Sequence, residues 1–296
     1  MYRIGLFLLT IIAIIVVASI SLRLLGVESI LANNGVDLDL SSLLVFCAVF
    51  GFAGAFMSLL LSKFMAKRFT GIRLVSKPQT EQERWLLQTV TTLSKKAGIG
   101  MPEVGIFPAQ QSNAFATGWN RNNALVGVSQ GLLDRFTEDE ARAVLAHEIG
   151  HVANGDMITL ALIQGVVNTF VMFAARVIGF FVDRVILKNN RGLGLGYWIT
   201  TIVAEIILAI AASTIVMWFS RQREFRADAA GAQLAGRAAM VGALEKLRAE
   251  TQSQVENQMP DTMTAFGLSS GWKRKPSRLS MTYPPLDGRI QALKNG

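Results

Sequence analysis

Apolar residues in this chain gather into four long runs separated by stretches of mixed polarity. Ile4 to Leu25 is almost wholly apolar over about 22 residues, and Leu43 to Leu61 repeats the pattern. Each matches the roughly 20 residues needed to cross a 30 Å hydrocarbon slab. The first run is longer than the core of a cleaved signal peptide, opens with a lone Arg3 and is followed by no A-x-A site, so it reads as a retained anchor. Two later runs, Met157 to Val182 and Tyr197 to Phe219, are less pure. Gln164, Asn168 and Arg176 interrupt one, and Glu205 the other. Tyr197, Trp198 and Trp218 stand at the ends of the last run, where interfacial aromatics belong. Folded as an antiparallel hairpin, these runs bring Arg176 and Glu205 to similar depth. That predicts an ion pair, because a charge in lipid must find a partner. The pattern allows this hairpin either to span the bilayer or to dip in and return.

Between and after the runs the pattern changes period. Thr80 followed by Glu83 predicts a capping box opening a helix through Trp85, Leu86, Val90 and Leu93, which Gly98 and Pro102 end. Three short β-prone runs follow, Val104 to Phe107, Asn113 to Thr117 and Ala124 to Val128. The turn residues Trp119 to Asn123 predict a hairpin between the last two. A short helix over Gln130 to Phe136 precedes a second capping box, Thr137 with Glu140. That box starts a helix running to about Asn154, with Gly155 as its stop. Ser220 to Glu250 reads as helix broken at Gly236, Thr251 to Ser280 as a mobile loop, and Leu286 to Lys294 as a last short helix.

Composition agrees with a membrane protein. Of 296 residues 51% are hydrophobic and 17% charged, against about a quarter charged in soluble domains. Mean hydropathy is +0.38. The net charge of +8 suits nucleic acid or an anionic membrane face, and its distribution decides. The loop from Gly26 to Ser41 has no Lys or Arg and carries Glu28, Asp37 and Asp39, whereas Lys63, Lys67, Arg68, Arg73 and Lys77 follow the second run. The positive-inside rule then puts the chain after Leu61 in the cytoplasm. Arg184, Lys188 and Arg191 in the later hairpin loop run against that rule. No aromatic-basic array or known module points to nucleic acid. Cys47 is the only cysteine, so no intrachain disulfide forms.

Chemistry concentrates in one place. Both histidines of the chain fall in His147-Glu148-Ile149-Gly150-His151, inside the helix opened at Thr137. Residues i and i+4 share a helix face, so both imidazoles can reach one Zn²⁺, with Glu148 beside them as general base for a zinc-activated water. A catalytic zinc keeps three protein ligands and one open position. With no other His and only a membrane Cys, the third ligand must be a carboxylate. Arg223-Glu224-Phe225-Arg226-Ala227-Asp228 supplies Glu224, and Asp228 one turn on can accept the N–H of a ligand imidazole, His147. Asn113, Ala114, Phe115 and Ala116 are extended residues against which a substrate chain can align by β-addition, or simply a core strand.

These motifs together resemble the bacterial HtpX-type membrane metalloproteases, relatives of the CAAX prenyl-protease type. The resemblance covers nearly the whole chain: the N-terminal spans, Asn113 to Gly118, Ala146 to Asp156, the second hairpin, and Ser220 to Ala232. It implies a zinc-dependent endopeptidase of the inner membrane, facing the cytoplasm, with unfolded or damaged membrane proteins as substrates. Other membrane quality-control proteases are implied partners. The family often carries His-Pro-Pro near the C-terminus, whereas this chain has Thr282-Tyr283-Pro284-Pro285. If that His helps hold the oxyanion, the Tyr283 hydroxyl must replace it here.

The expected fold is a mainly α integral membrane protein, with up to four transmembrane helices and a cytosolic zincin-like α+β catalytic domain holding one Zn²⁺. Its expected parts are an N-terminal membrane hairpin (1–62), a cytosolic segment with the His-Glu motif (63–156), a second membrane hairpin (157–219) and a C-terminal cytosolic helical part (220–296). Two rivals stand beside this reading. A zinc-binding membrane scaffold that no longer cleaves would share the ligands. An intramembrane site-2-type protease is copied superficially by Leu286-Asp287-Gly288, but the polar start Thr137 to Glu140 of the motif helix does not suit lipid.

Overall fold

The computed structural model describes residues 16, 20, 29, 38–189, 191–252 and 284–295. Apart from Val16 and Ile20, the first apolar run lies outside these residues, as do Tyr283 and nearly all of the loop expected from Thr251 to Ser280. Among the described residues three helices are long and apolar enough to cross a membrane: Leu40–Phe69, Asp156–Ile186 and Leu195–Ala235.

The chain divides into two compact units, Met1–Ser58 with Leu160–Val216, and Leu59–Thr159 with Met217–Gly296. The described residues of the first are mainly helical. Helix α1 (Leu40–Phe69) is opened by Asp39, whose carboxylate accepts the backbone N–H groups of Ser41 and Ser42 at 3.0 Å. Helix α5 (Asp156–Phe181) continues into a π-helical turn, Val182–Ile186, and helix α6 (Leu195–Ala235) returns. Asp183 closes this hairpin by accepting from the Gly194 backbone at 3.1 Å and from Asn189 at 2.9 Å. The expected ion pair forms, Arg176 Nη1 to Glu205 Oε1 at 3.1 Å, with the Arg176 guanidinium 5.7 Å from the Phe46 ring centroid. Ile202, Val203, Ile206, Ile207 and Ile210 are exposed along α6, an apolar surface suited to lipid.

The second unit is α+β. It contains β1 (Arg73–Leu74), α2 (Glu81–Lys96), β2 (Glu103–Phe107), β3 (Ala114–Asn120) and β4 (Asn123–Ser129). Then come α3 (Gln130–Arg135), α4 (Glu138–Asn154), α7 (Arg237–Gln252) and α8 (Leu286–Asn295). The strand order is β1-β2-β4-β3. The expected hairpin is present, with β3 antiparallel to β4, but the strands reach Asn120 and Asn123 and shorten the turn to Arg121 and Asn122. β2 runs parallel to β4, so β3 is left at the edge of the sheet.

Alternation along β3 serves two faces. Ala114 and Ala116 enter the main core with Leu86, Val90, Val144, Leu145 and Leu244. Phe115 points the other way, to a smaller cluster with Ala66, Phe107 and Leu125. The cap at Thr80 differs from the expected box. Thr80 accepts from the Glu83 backbone, but the Glu83 carboxylate reaches back to the Gln79 N–H at 2.6 Å. At Thr137 the box with Glu140 is complete.

Candidate active site

The centre is built where α4 crosses the C-terminal end of α6. Two glycines set how close those helices come. A Cβ on Gly150 would lie 2.9 Å from Ala230 Cβ, and one on Gly231 would lie 3.2 Å from the His147 backbone nitrogen. Neither position tolerates a larger side chain without the helices moving apart, and the fully buried Ala227 lies in the same crossing.

This approach brings Glu224 of α6 against both histidines of α4. His147 Nε2 lies 3.4 Å from Glu224 Oε2, and His151 Nε2 lies 3.5 Å from Glu224 Oε1. One ligand atom from each of His147, His151 and Glu224 falls within 4.8 Å of the others. His147 and Glu224 are buried and His151 is nearly so. His147 Nε2 and both Glu224 oxygens have no hydrogen-bond partner. Buried polar atoms in that state are costly, and three of them facing one point fit a cation between them. Two imidazoles and a carboxylate form a donor set suited to Zn²⁺.

Each histidine is held from behind by its other nitrogen. His147 Nδ1 lies 2.9 Å from Asp228 Oδ1, without the alignment of a full hydrogen bond. His151 Nδ1 lies 2.7 Å from Asp156 Oδ2. Both contacts turn Nε2 towards Glu224. Asp156 arrives there because Gly155 takes a left-handed conformation (φ 72°), ending α4 so that α5 begins at the very next residue. Sequence reasoning missed Asp156; an acidic residue just past the stop glycine, five beyond His151, was its only signal.

Glu148 is buried beside the two histidines, 3% exposed. Burial pushes its carboxyl pKa up, against the pull of His147 and His151. For His147, burial works against the protonated ring, but Asp228 and Glu224 outweigh it and push its pKa up to about 9.

Arg289 of α8 was also missed. It is fully buried and grips Asp228 by Nε at 2.7 Å and Nη2 at 2.6 Å. Its neighbour Asp287, the residue on which the site-2-type rival depended, is exposed and pairs with Arg248 at 2.8 Å. Asn113 is buried just before β3, and Ala114, Phe115 and Ala116 lie on that edge strand, which packs beside α4. Tyr283 lies outside the described residues.

Comparison with known proteins gives one consistent answer. The profile of peptidase family M48 matches residues 80–296. Protease HtpX of Pseudomonas putida strain KT2440 is 66% identical over 294 residues, covering 99% of each chain. Protease HtpX of Pseudomonas fluorescens strain Pf0-1 is 64% identical with the same coverage. In fold, the chain is similar to the crystal structure of Ste24p from S. mikatae, with a TM-score of 0.60 and 17% identity. That match covers 84% of this chain and 58% of the other.

Proposed function

Because the chain belongs to peptidase family M48, we propose that it is a zinc-dependent membrane endopeptidase with its centre at His147, Glu148, His151 and Glu224. The observation that carries this reading is the meeting of three ligand atoms at one point beside a buried glutamate, those of His147 and Glu224 being buried and without hydrogen-bond partners. The two imidazoles and the Glu224 carboxylate would hold one Zn²⁺. When bound there, zinc would supply Lewis-acid chemistry for the scissile carbonyl and lower the pKa of a water towards neutrality.

The chain's own residues do the rest. Glu148 takes the proton of the attacking water and returns it to the leaving amine. A carboxyl whose pKa is raised by burial holds a proton more readily between those two steps. Asp228 and Asp156 hold the two rings by Nδ1, keeping Nε2 of each free to ligate. The outer side of β3 pairs with no other strand among the described residues, which supports alignment of an extended substrate along Asn113 to Ala116. The side chains of these residues serve the core while their backbone lies at the edge, so the core-strand and substrate-strand readings are compatible. An oxyanion role for Tyr283 belongs to the same proposal.

The surroundings assigned to this activity are the inner membrane, with the centre on the cytoplasmic side. The positive charges at Lys63, Lys67, Arg68, Arg73 and Lys77 support that orientation. The substrates assigned are unfolded or damaged membrane proteins, in quality control alongside other membrane proteases. Metal content tests the ligand set. Purified Glu148→Gln should carry one zinc, while His151→Ala and Glu224→Ala should carry far less. Full zinc in the Glu224→Ala protein would rule out this centre.

A further inference from the structure

A guanidinium buried as completely as that of Arg289 requires partners for its charge, and Asp228 and Glu224 are among them. Its fork covers both oxygens of Asp228, at 2.7 and 2.6 Å, and Nη1 stands 3.7 Å from Glu224 Oε2. The Asp228 oxygen bound by Nη2 is the one 2.9 Å from His147 Nδ1. Arg289 therefore reaches the ligand His147 through one intervening carboxylate.

Its own helix is firmly seated. Ile290 and Leu293 of α8 belong to the main core, and Arg248–Asp287 at 2.8 Å and Lys294–Glu245 at 2.9 Å fasten α8 to α7. Asp228 sits one turn beyond Glu224 on the same helical face, which makes it a competing carboxylate for a cation in the pocket.

We infer that Arg289 is a positioning residue of the metal centre: it fixes Asp228 as the acceptor for His147, keeps that carboxylate from turning to the metal, and makes the site depend on docking of α8. This rests on the zinc reading above. A bidentate fork holds a carboxylate in orientation as well as in place, so lysine is a poor substitute.

The test uses the full-length protein in detergent in the Glu148→Gln background, with zinc affinity measured by chelator competition. The parent should bind one zinc, and failure there would sink the zinc reading rather than this inference. Arg289→Met should weaken zinc binding roughly tenfold to a hundredfold, as expected when the partner orienting a ligand is lost. Asp228→Asn should do the same, and the double variant should be no weaker than either single variant. Arg289→Met strands a buried carboxylate and threatens folding, so the double variant, lacking both charges, is the decisive protein. It should regain thermal stability without regaining affinity. In Arg289→Met that does fold, zinc X-ray absorption should show an added oxygen ligand. Parental affinity in the double variant, or losses that simply multiply, would overturn the inference.

Discussion

Replacing Gly150 by alanine puts one methyl group into the crossing of α4 and α6. That Cβ would stand 2.9 Å from Ala230 Cβ and 3.3 Å from the Ala227 carbonyl oxygen. An ordinary carbon contact lies at about 3.5–4.0 Å, so the helices must separate by about 0.6–1.1 Å. Overpacking of this kind costs about 1–3 kcal/mol of stability. The effect on the centre is sharper, because the crossing sets how far Glu224 stands from His147 and His151, and metal–ligand distances tolerate only about 0.2 Å. Zinc affinity should fall at least about tenfold, or about 1.4 kcal/mol. The assay is chelator competition with purified Glu148→Gln and Glu148→Gln/Gly150→Ala, alongside thermal melts. Gly242→Ala is the control, since its Cβ would meet nothing closer than Glu140 Cγ at 3.9 Å. It should leave affinity unchanged and gain about 0.5–1 kcal/mol as a helix-interior Gly→Ala change. Unchanged affinity in the Gly150→Ala protein, with stability lowered as expected, would refute the claim that this crossing sets the metal geometry.

Three further outcomes are expected. Asp156→Asn loses the anionic partner of His151 Nδ1, 2.7 Å away, and should lower zinc affinity about tenfold to a hundredfold in the same titration. Arg176→Leu leaves Glu205 unpaired in an apolar helix and should shorten the detergent half-life, whereas Arg176→Leu/Glu205→Leu should restore it; a double variant as fragile as the single one would contradict the pairing account. The Gln79 backbone N–H and Arg73 hold the Glu83 carboxyl below its ordinary value of 4.5. Its contribution is therefore present above that value and lost as pH falls through the lowered one. Glu83→Gln should accordingly flatten the fall in thermal midpoint as pH drops below 4.5, and curves of equal steepness would count against it.

Local chemistry in the sequence foretold local structure well. The complete box at Thr137, the left-handed stop at Gly155, the helix end before Gly236 and the β3–β4 hairpin are each written within a few neighbouring residues. The His-Glu motif was legible for the same reason, because a spacing of four fixes a shared helix face. Glu224 and Asp228 were singled out by elimination and by that same spacing. What escaped was pairing between distant segments. Alternation marks a strand without naming its partner, so the parallel β2–β4 ladder and the edge position of β3 needed the structure. β1 is two residues long and carries no period at all. The apolar run to Phe219 and the helix expected from Ser220 to Gly236 were read as separate segments, and the structure joins them in one unbroken helix to Ala235. Arg289 escaped because a lone arginine in a basic tail looks like surface, and only the burial of Asp228 shows what it answers.

The central claim is that Glu148, beside a zinc held by His147, His151 and Glu224, drives peptide hydrolysis. Wild type and Glu148→Ala, purified in detergent with a chelator, would be given Zn²⁺ and an unfolded reporter protein, and fragments followed over time. The account predicts zinc-dependent fragments from wild type alone, with both proteins binding one zinc. Equal cleavage by the two proteins, or no cleavage by wild type loaded with one zinc, would contradict it.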